Sequence, residues 1–504
     1  MPKGIWRAAI FAALLHLTGL PAACPAAAQD VTLTSLDGAL SVSGTLISHD
    51  GEFYRLDSAY GLLVLDAAGV VCDGPACPDL TSLRAVIRIA GLPEMGAVLL
   101  PALIRSFAKN RGLAVVEDAE GAWPMLIIDP TTDAPRAEFH FAPMTADKAA
   151  TALTDARADL VLTADPAPGT DRRSRLIGLD PMVVILSPEN RLPRLSTGDL
   201  SRVLTGEIDN WAQVGAPDMP LVLRGLGPDH PFARVLATRL GRDTALDEVH
   251  SDLQSLSDAV RADPWAVAVT GRSAVSTARQ VALTDTCGFP LFAEDHSVKS
   301  EDYPLVLPIA FDLPKRRLPL MAREFLDFLD LPQAQAAVRS TGLVDKTPEV
   351  RAMTQDGWRL VNAIKGAETP ESLAELRRLV TLMERAERLS YTFRFQDGST
   401  DLDAHSAANL ADLALRIETG LIDPATLTLV GFSDGSGAAE ANLALSQDRA
   451  TAVQSALSRA LPDMAPEKLP HIEAFGEALP IACDETSAGR RLNRRVEIWI
   501  LNSP

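Results

Sequence analysis

The hydrophobic pattern changes its period along the chain. Lys3 and Arg7 precede the apolar run AAIFAALLHLTGL, which gives way to small residues ending at Ala26, Ala27 and Ala28. From residue 31 to 84 apolar and polar residues alternate in VTLTSL, LSVSGTLIS, EFYRLD and GLLVLD, with Asp37-Gly38 and Asp50-Gly51 between runs, which predicts short antiparallel strands. A strand-helix-strand succession then opens at AVIRIAG, continues through PEMGAVLLPALIRSFAKNRG and returns at LAVVED. Leucines spaced by three and four predict amphipathic helices in EVRAMTQDGWRLVNAIKG and PESLAELRRLVTLMERAERL, broken between Gly366 and Pro370. The chain closes on a strand TLTLVGF, a helix SQDRATAVQSALSRAL and a strand VEIWI. The pattern predicts a multidomain α/β protein: a leader at 1–28, a small β unit at 29–84, a larger α/β domain at 85–345, a helical connector at 346–388 and an α+β domain at 389–504.

The leader has the charged start, apolar centre and A-x-A end of a secretory signal cut before Gln29. Its apolar run is shorter than the ~20 residues a membrane span needs. Cys24 in LPAAC raises lipidation as an alternative, against which Pro21 stands. No later run is long and apolar enough to span, so a periplasmic protein without a transmembrane segment after signal removal is expected. A net charge of −19 gives no electrostatic reason to bind nucleic acid. In an oxidising compartment Cys72 and Cys77, bracketing DGPA, are expected to form a disulfide, and no nearby ligand completes a metal site around them. Cys287 and Cys483 fall in different predicted domains and pair only if those domains dock; two free or buried thiols are expected.

The C-terminal region carries Gly431, Asp434, Gly437, Asn442, Leu445, Ser446, Arg449, Ala450, then Gly476 and Pro480, then Gly489 and Asn493-Arg494-Arg495-Val496-Glu497. This succession resembles the OmpA-like peptidoglycan-binding domain. The resemblance implies that Asp434 and Arg449 grip diaminopimelate, with Ser433, Asn442, Arg494 and Arg495 in the same motif. The chemistry is sound. An amino-acid head offers an ammonium, which an aspartate holds, and a carboxylate, which the planar fork of an arginine holds. The two residues are fifteen positions apart (449 − 434), roughly 22 Å along one continuous helix, too far to share a ligand. A glycine-rich loop at 431–437 with Ser446 as helix N-cap would put Arg449 in a first turn beside Asp434. Of Arg494 and Arg495, one is expected to wall the site and the other to form a structural salt bridge; which is which stays open.

In the middle, Leu195, Leu200, Val203, Gly206, Ile208, Asn210 and Trp211, followed by Tyr303-Pro304-Leu305, Gly342 and Val344, resemble periplasmic phosphate-binding proteins of ABC transporters. The resemblance implies a two-lobed α/β domain with its ligand between the lobes. That family has a Gly-Ser-x-Thr-like turn where this chain has Gly91-Leu92-Pro93-Glu94, and an R-x-x-S-G-T turn where it has Arg224 to Asp229. The hydroxyls are missing and Glu94 would repel phosphate. Gly91, Arg224, Gly227 and Asp229 remain as ligand-binding candidates. No H-E-x-x-H, G-x-S-x-G or P-loop is present, so no catalytic residue, metal or cofactor is assigned and the chain does not read as an enzyme. The expected function is that of a periplasmic, cell-wall-tethered binding protein, associated with peptidoglycan and the outer membrane. Its central domain binds or senses a small ligand, with phosphate among the candidates. The alternative is a structural tether whose central domain docks another envelope protein.

Overall fold

A computed structural model describes residues 30–49, 51–78, 84–117, 123–164, 173–355, 357–366, 370–395 and 401–501. The expected signal, its cleavage site and Cys24 lie outside them. No described helix is long and apolar enough to cross a membrane. The chain divides into two compact units, 1–83 and 84–504.

The first unit is a five-stranded sheet of Asp30–Ser35, Ser41–His49, Phe53–Ser58, Gly61–Asp66 and Val70–Asp73. Alternation puts Val31, Leu33, Tyr54 and Leu56 on one buried face, as a period of two requires. The Cys72–Cys77 disulfide closes it, with Cα atoms 5.8 Å apart.

The second unit begins with an eleven-stranded sheet. Its two parts meet in the long strand Arg173–Leu186. Residues 173–181 pair with Val306–Leu313, and residues 182–186 pair with Ala266–Gly271. One side carries Ala85–Gly91, Pro135–Pro143 and Leu160–Thr163, with the helix Pro93–Asn110. The other carries Val222–Leu226 and Glu248–His250, with the helix Pro231–Leu240. One apolar core runs through both lobes. Asp180 sits at the partner change of the long strand, accepting from Ser273 Oγ at 2.6 Å and Ser273 N at 3.2 Å. Gly271 is required there, because a Cβ would fall 2.2 Å from the Asp180 carboxylate. Burial raises the Asp180 carboxyl to about 6, against the hydrogen bonds from Ser273.

The C-terminal sheet orders its strands Val350–Ala352, Ala386–Arg394, Arg495–Leu501, Leu427–Phe432 and His471–Ala474. Leu427, Leu429 and Ile498 face the helices Ala404–Glu418 and Ala439–Ala460, while Val430, Phe432 and Trp499 face Gly357–Gly366 and Pro370–Met383. The stretch read as a connector is thus built into this layer: it supplies an edge strand and the helices covering one face of the sheet. Its leucine spacing gave helices correctly, but the three residues 350–352 have no period of their own.

The central region and this sheet belong to one compact unit, joined by buried charge. Glu497 is fully buried and meets Arg359, Arg388 and Arg495. Arg388 continues to Asp302 of the central region, and Arg394 bonds Glu301 at 3.1 Å. Burial alone would raise the Glu497 carboxyl, but the three guanidinium groups outweigh it and hold it well below the usual carboxylate value. The docking also overturns the expectation of two free thiols. Cys287 and Cys483 form a disulfide, with Cα atoms 5.4 Å apart, and the Cys483 amide donates to Asp285 at 2.6 Å. Domain docking, which sequence spacing does not encode, brought them together.

Removing one partner of a buried charge cluster leaves the others uncompensated. Glu497→Gln is expected to lower stability by about 3–5 kcal/mol, read by denaturant unfolding followed through tryptophan fluorescence. Asp180 carries the opposite sign of pH dependence. Its folded value is raised, so between about pH 4 and 6 the unfolded chain gives up the proton first and stability falls as pH rises. Asp180→Asn removes this loss, on the order of 3 kcal/mol. Melting temperature against pH should then be flatter for the variant over that window than for the parent.

Candidate functional site

The wall-binding candidates converge at the end of the strand Leu427–Phe432. Gly431 sets the arrangement: a Cβ there would lie 2.1 Å from the Ser446 carbonyl, so only glycine lets the strand end dock against the middle of the helix Ala439–Ala460. Residues 433–438 then run back to the helix start, with Gly437 at φ +101°. The helix starts seven residues before Ser446. Ser446 is therefore not the N-cap that was expected. It is buried mid-helix, donating to Leu443 O at 2.7 Å and accepting from Gly476 N at 3.0 Å. Arg449 lies in the third turn, not the first. It still comes beside Asp434, because the strand end meets the helix at its middle.

Asp434 accepts from Ser436 N at 3.0 Å and from Arg494 Nη1 at 3.1 Å. Burial would raise its carboxyl, but these donors hold it below the ordinary value. Arg449 leans over the Phe395 ring, 5.8 Å from its centroid. Burial and the Arg494 charge lower its pKa, and Asp434 opposes them. Its Nη1 is buried without a hydrogen-bond partner, and so is Ser433 Oγ. Buried donors left unpaired are costly, so these two atoms hold hydrogen-bonding capacity that the described contacts leave unused.

The two arginines separate cleanly. Arg494 reaches Asp434 at 3.1 Å. Arg495 is fully buried: it bonds Glu497 at 2.6 Å and Leu479 O at 3.0 Å, and stacks 4.3 Å from the Phe432 centroid. It is therefore removed from the ligand-facing set. Asn442 is likewise buried, its amide donating to Glu477 at 2.6 Å. Two contributors escaped the sequence reading. Phe395 follows directly on the strand Ala386–Arg394, far away in sequence, and nothing local marks it. Asp484, next to Cys483, accepts from Gly435 N at 2.9 Å and from Asn493 at 2.9 Å, fixing the loop that carries Asp434.

The central candidates do not converge in the same way. Gly91 lines a cavity of about 240 Å³ between the lobes and is needed at φ +131°, where a Cβ would lie 2.0 Å from Leu162 O. Arg224 is committed elsewhere: it bonds Glu248, its partner in the adjacent strand, and Asp263 at 2.9 Å. Two carboxylates engage its two Nη atoms, its Nε is buried without a hydrogen-bond partner, and it is not among the residues lining the cavity with Gly91. Gly227 offers its carbonyl to His230 N at 2.9 Å, and Asp229 is exposed.

Comparison with known proteins divides along the same lines. The OmpA family matches residues 394–494, and a PBP superfamily domain matches residues 118–329. The chain is 32% identical over 106 residues to the "Probable lipoprotein YiaD" of Escherichia coli (strain K12), covering 21% of this chain and 46% of that protein. It thus spans about half the length of that relative. Among solved structures, an ABC-type phosphate transport receptor from Vibrio cholerae is 15% identical with TM-score 0.40, covering 51% of this chain and 99% of the other. A putative phosphate ABC transporter substrate-binding protein with bound phosphate, from Clostridium perfringens, is 14% identical with TM-score 0.41, covering 52% and 99%. The chain carries an OmpA family domain at its C-terminal end, residues 394–494, behind a PBP superfamily domain in its middle.

Proposed function

We propose that this is a periplasmic envelope protein that holds peptidoglycan noncovalently through its C-terminal domain and presents a binding-protein-like domain docked on it. The observation that carries the reading is the placement of Asp434 near Arg449, whose charge it stabilises, where Arg449 Nη1 and Ser433 Oγ have no hydrogen-bond partner. Asp434 is the anion for the ammonium of diaminopimelate, and Arg449 is the fork for its carboxylate. Arg494 holds Asp434 ready and yields part of that contact to the ligand. Docking through Glu497, Arg388 and the Cys287–Cys483 disulfide supports a stiff connection between wall and central domain. A second reading, in which the central domain docks an envelope protein and takes no small ligand, draws on the engagement of Arg224 by Glu248 and Asp263.

Removing one partner of a buried, charged contact costs about 2–5 kcal/mol, or at least ~30-fold in affinity. Asp434→Ala and Arg449→Ala should each abolish co-sedimentation with purified sacculi while the protein stays folded. Retained binding in both would sink the site assignment. The neighbouring arginines should behave oppositely. Arg494→Ala is expected to melt near the parent temperature but bind sacculi weakly. Arg495→Ala is expected to lose stability outright, because it uncovers Glu497.

A further inference from the structure

At the mouth of the central cavity the two lobes are already joined. The helix Pro93–Asn110 starts there with no side-chain cap, and Glu94 is in its first turn. The facing helix Pro231–Leu240 is capped by His230, whose Nδ1 accepts from Phe232 N at 3.2 Å. With Nδ1 an acceptor, the ring proton sits on Nε2, which donates to Glu94 Oε1 at 2.7 Å. The imidazole thus relays the amide of one helix start to a carboxylate on the other. A second bridge, Arg234 to Asp147 at 3.6 Å, spans the same cavity.

We propose that Glu94 is the selectivity determinant of this cleft: its carboxylate is a built-in anion that latches the lobes through His230 and shuts out small oxyanions. Two helix starts facing a cleft favour negative charge, and here the chain supplies that charge itself. Glu94 occupies the segment where the resembling family has a hydroxyl-bearing turn. A second anion about 4 Å from it would bind roughly a thousandfold more weakly, at the effective dielectric of a partly buried site. Among the described residues the cation lining the cavity is Arg234, and it is already bridged to Asp147. The domain therefore closes without an oxyanion, and what selects its ligand is the absence of negative charge.

The test is thermal unfolding of the full mature chain with inorganic phosphate, against sodium chloride at matched ionic strength. The parent should show no phosphate-specific shift at millimolar concentration. Glu94→Ser restores a hydroxyl, and Glu94→Gln keeps an acceptor for His230 without the charge. At least one of them, shown folded by circular dichroism, should gain a phosphate-dependent rise in melting temperature. A phosphate shift in the parent overturns the proposal, and so do folded variants that both stay flat. Sacculus binding reads the other domain, so failure here is separable from failure of the wall-binding reading.

Discussion

The second unit depends on one buried carboxylate. Glu497 holds Arg359 from the helices over one face of the C-terminal sheet, Arg388 from the neighbouring strand, and Arg495 beside it. Each guanidinium alone would be expensive to bury. Together they need a single acid placed among them and further acceptors around them, which Asp302, Asn493 O and Leu479 O supply. The geometry tolerates little displacement, because any shift leaves a charge unpaired in a medium that cannot solvate it. The cluster therefore sets how the central region and the C-terminal layer meet.

That fixed meeting shapes the site. Asp434 and Arg449 lie on a loop and a helix whose relation is set by Gly431 against Ser446. The loop is further held by Asp484, whose neighbour Cys483 is bonded to the central region. Preorganisation of this kind reduces the ordering cost a ligand must overcome. The Cys287–Cys483 disulfide also closes a covalent loop that contains the segment carrying Asp434.

The two candidate sites contrast in how they handle charge. In the C-terminal domain an arginine and a hydroxyl are buried with valences unspent, beside an aspartate shared with Arg494. In the central region Glu94 meets His230, Arg234 lies 3.6 Å from Asp147, and Arg224 meets Glu248 and Asp263. A likeness of fold leaves the choice of ligand to such local bookkeeping of donors and acceptors.

The sequence by itself determined the elements and the candidate pair. Alternation in 31–66 marked four of the five strands of the first unit, the 3.6-residue spacing marked the helices of the connector, and the short Cys72–Cys77 spacing marked the first unit's disulfide. The order of glycines, Asp434, Arg449 and N-R-R-V-E marked the OmpA family domain. These are local or ordered patterns, and a linear reading captures them. The tertiary structure alone decided which of Arg494 and Arg495 lies beside Asp434 and which is buried, since adjacent residues at a strand start point to opposite sides and only the packed sheet says which side is interior. It also decided that Ser446 lies inside a longer helix, that Arg224 turns to carboxylates on neighbouring elements, and that Cys287 meets Cys483 across 196 residues. Each of these depends on contacts between distant segments, whose energies come from burial and charge pairing in the assembled fold and leave no periodic trace in the chain.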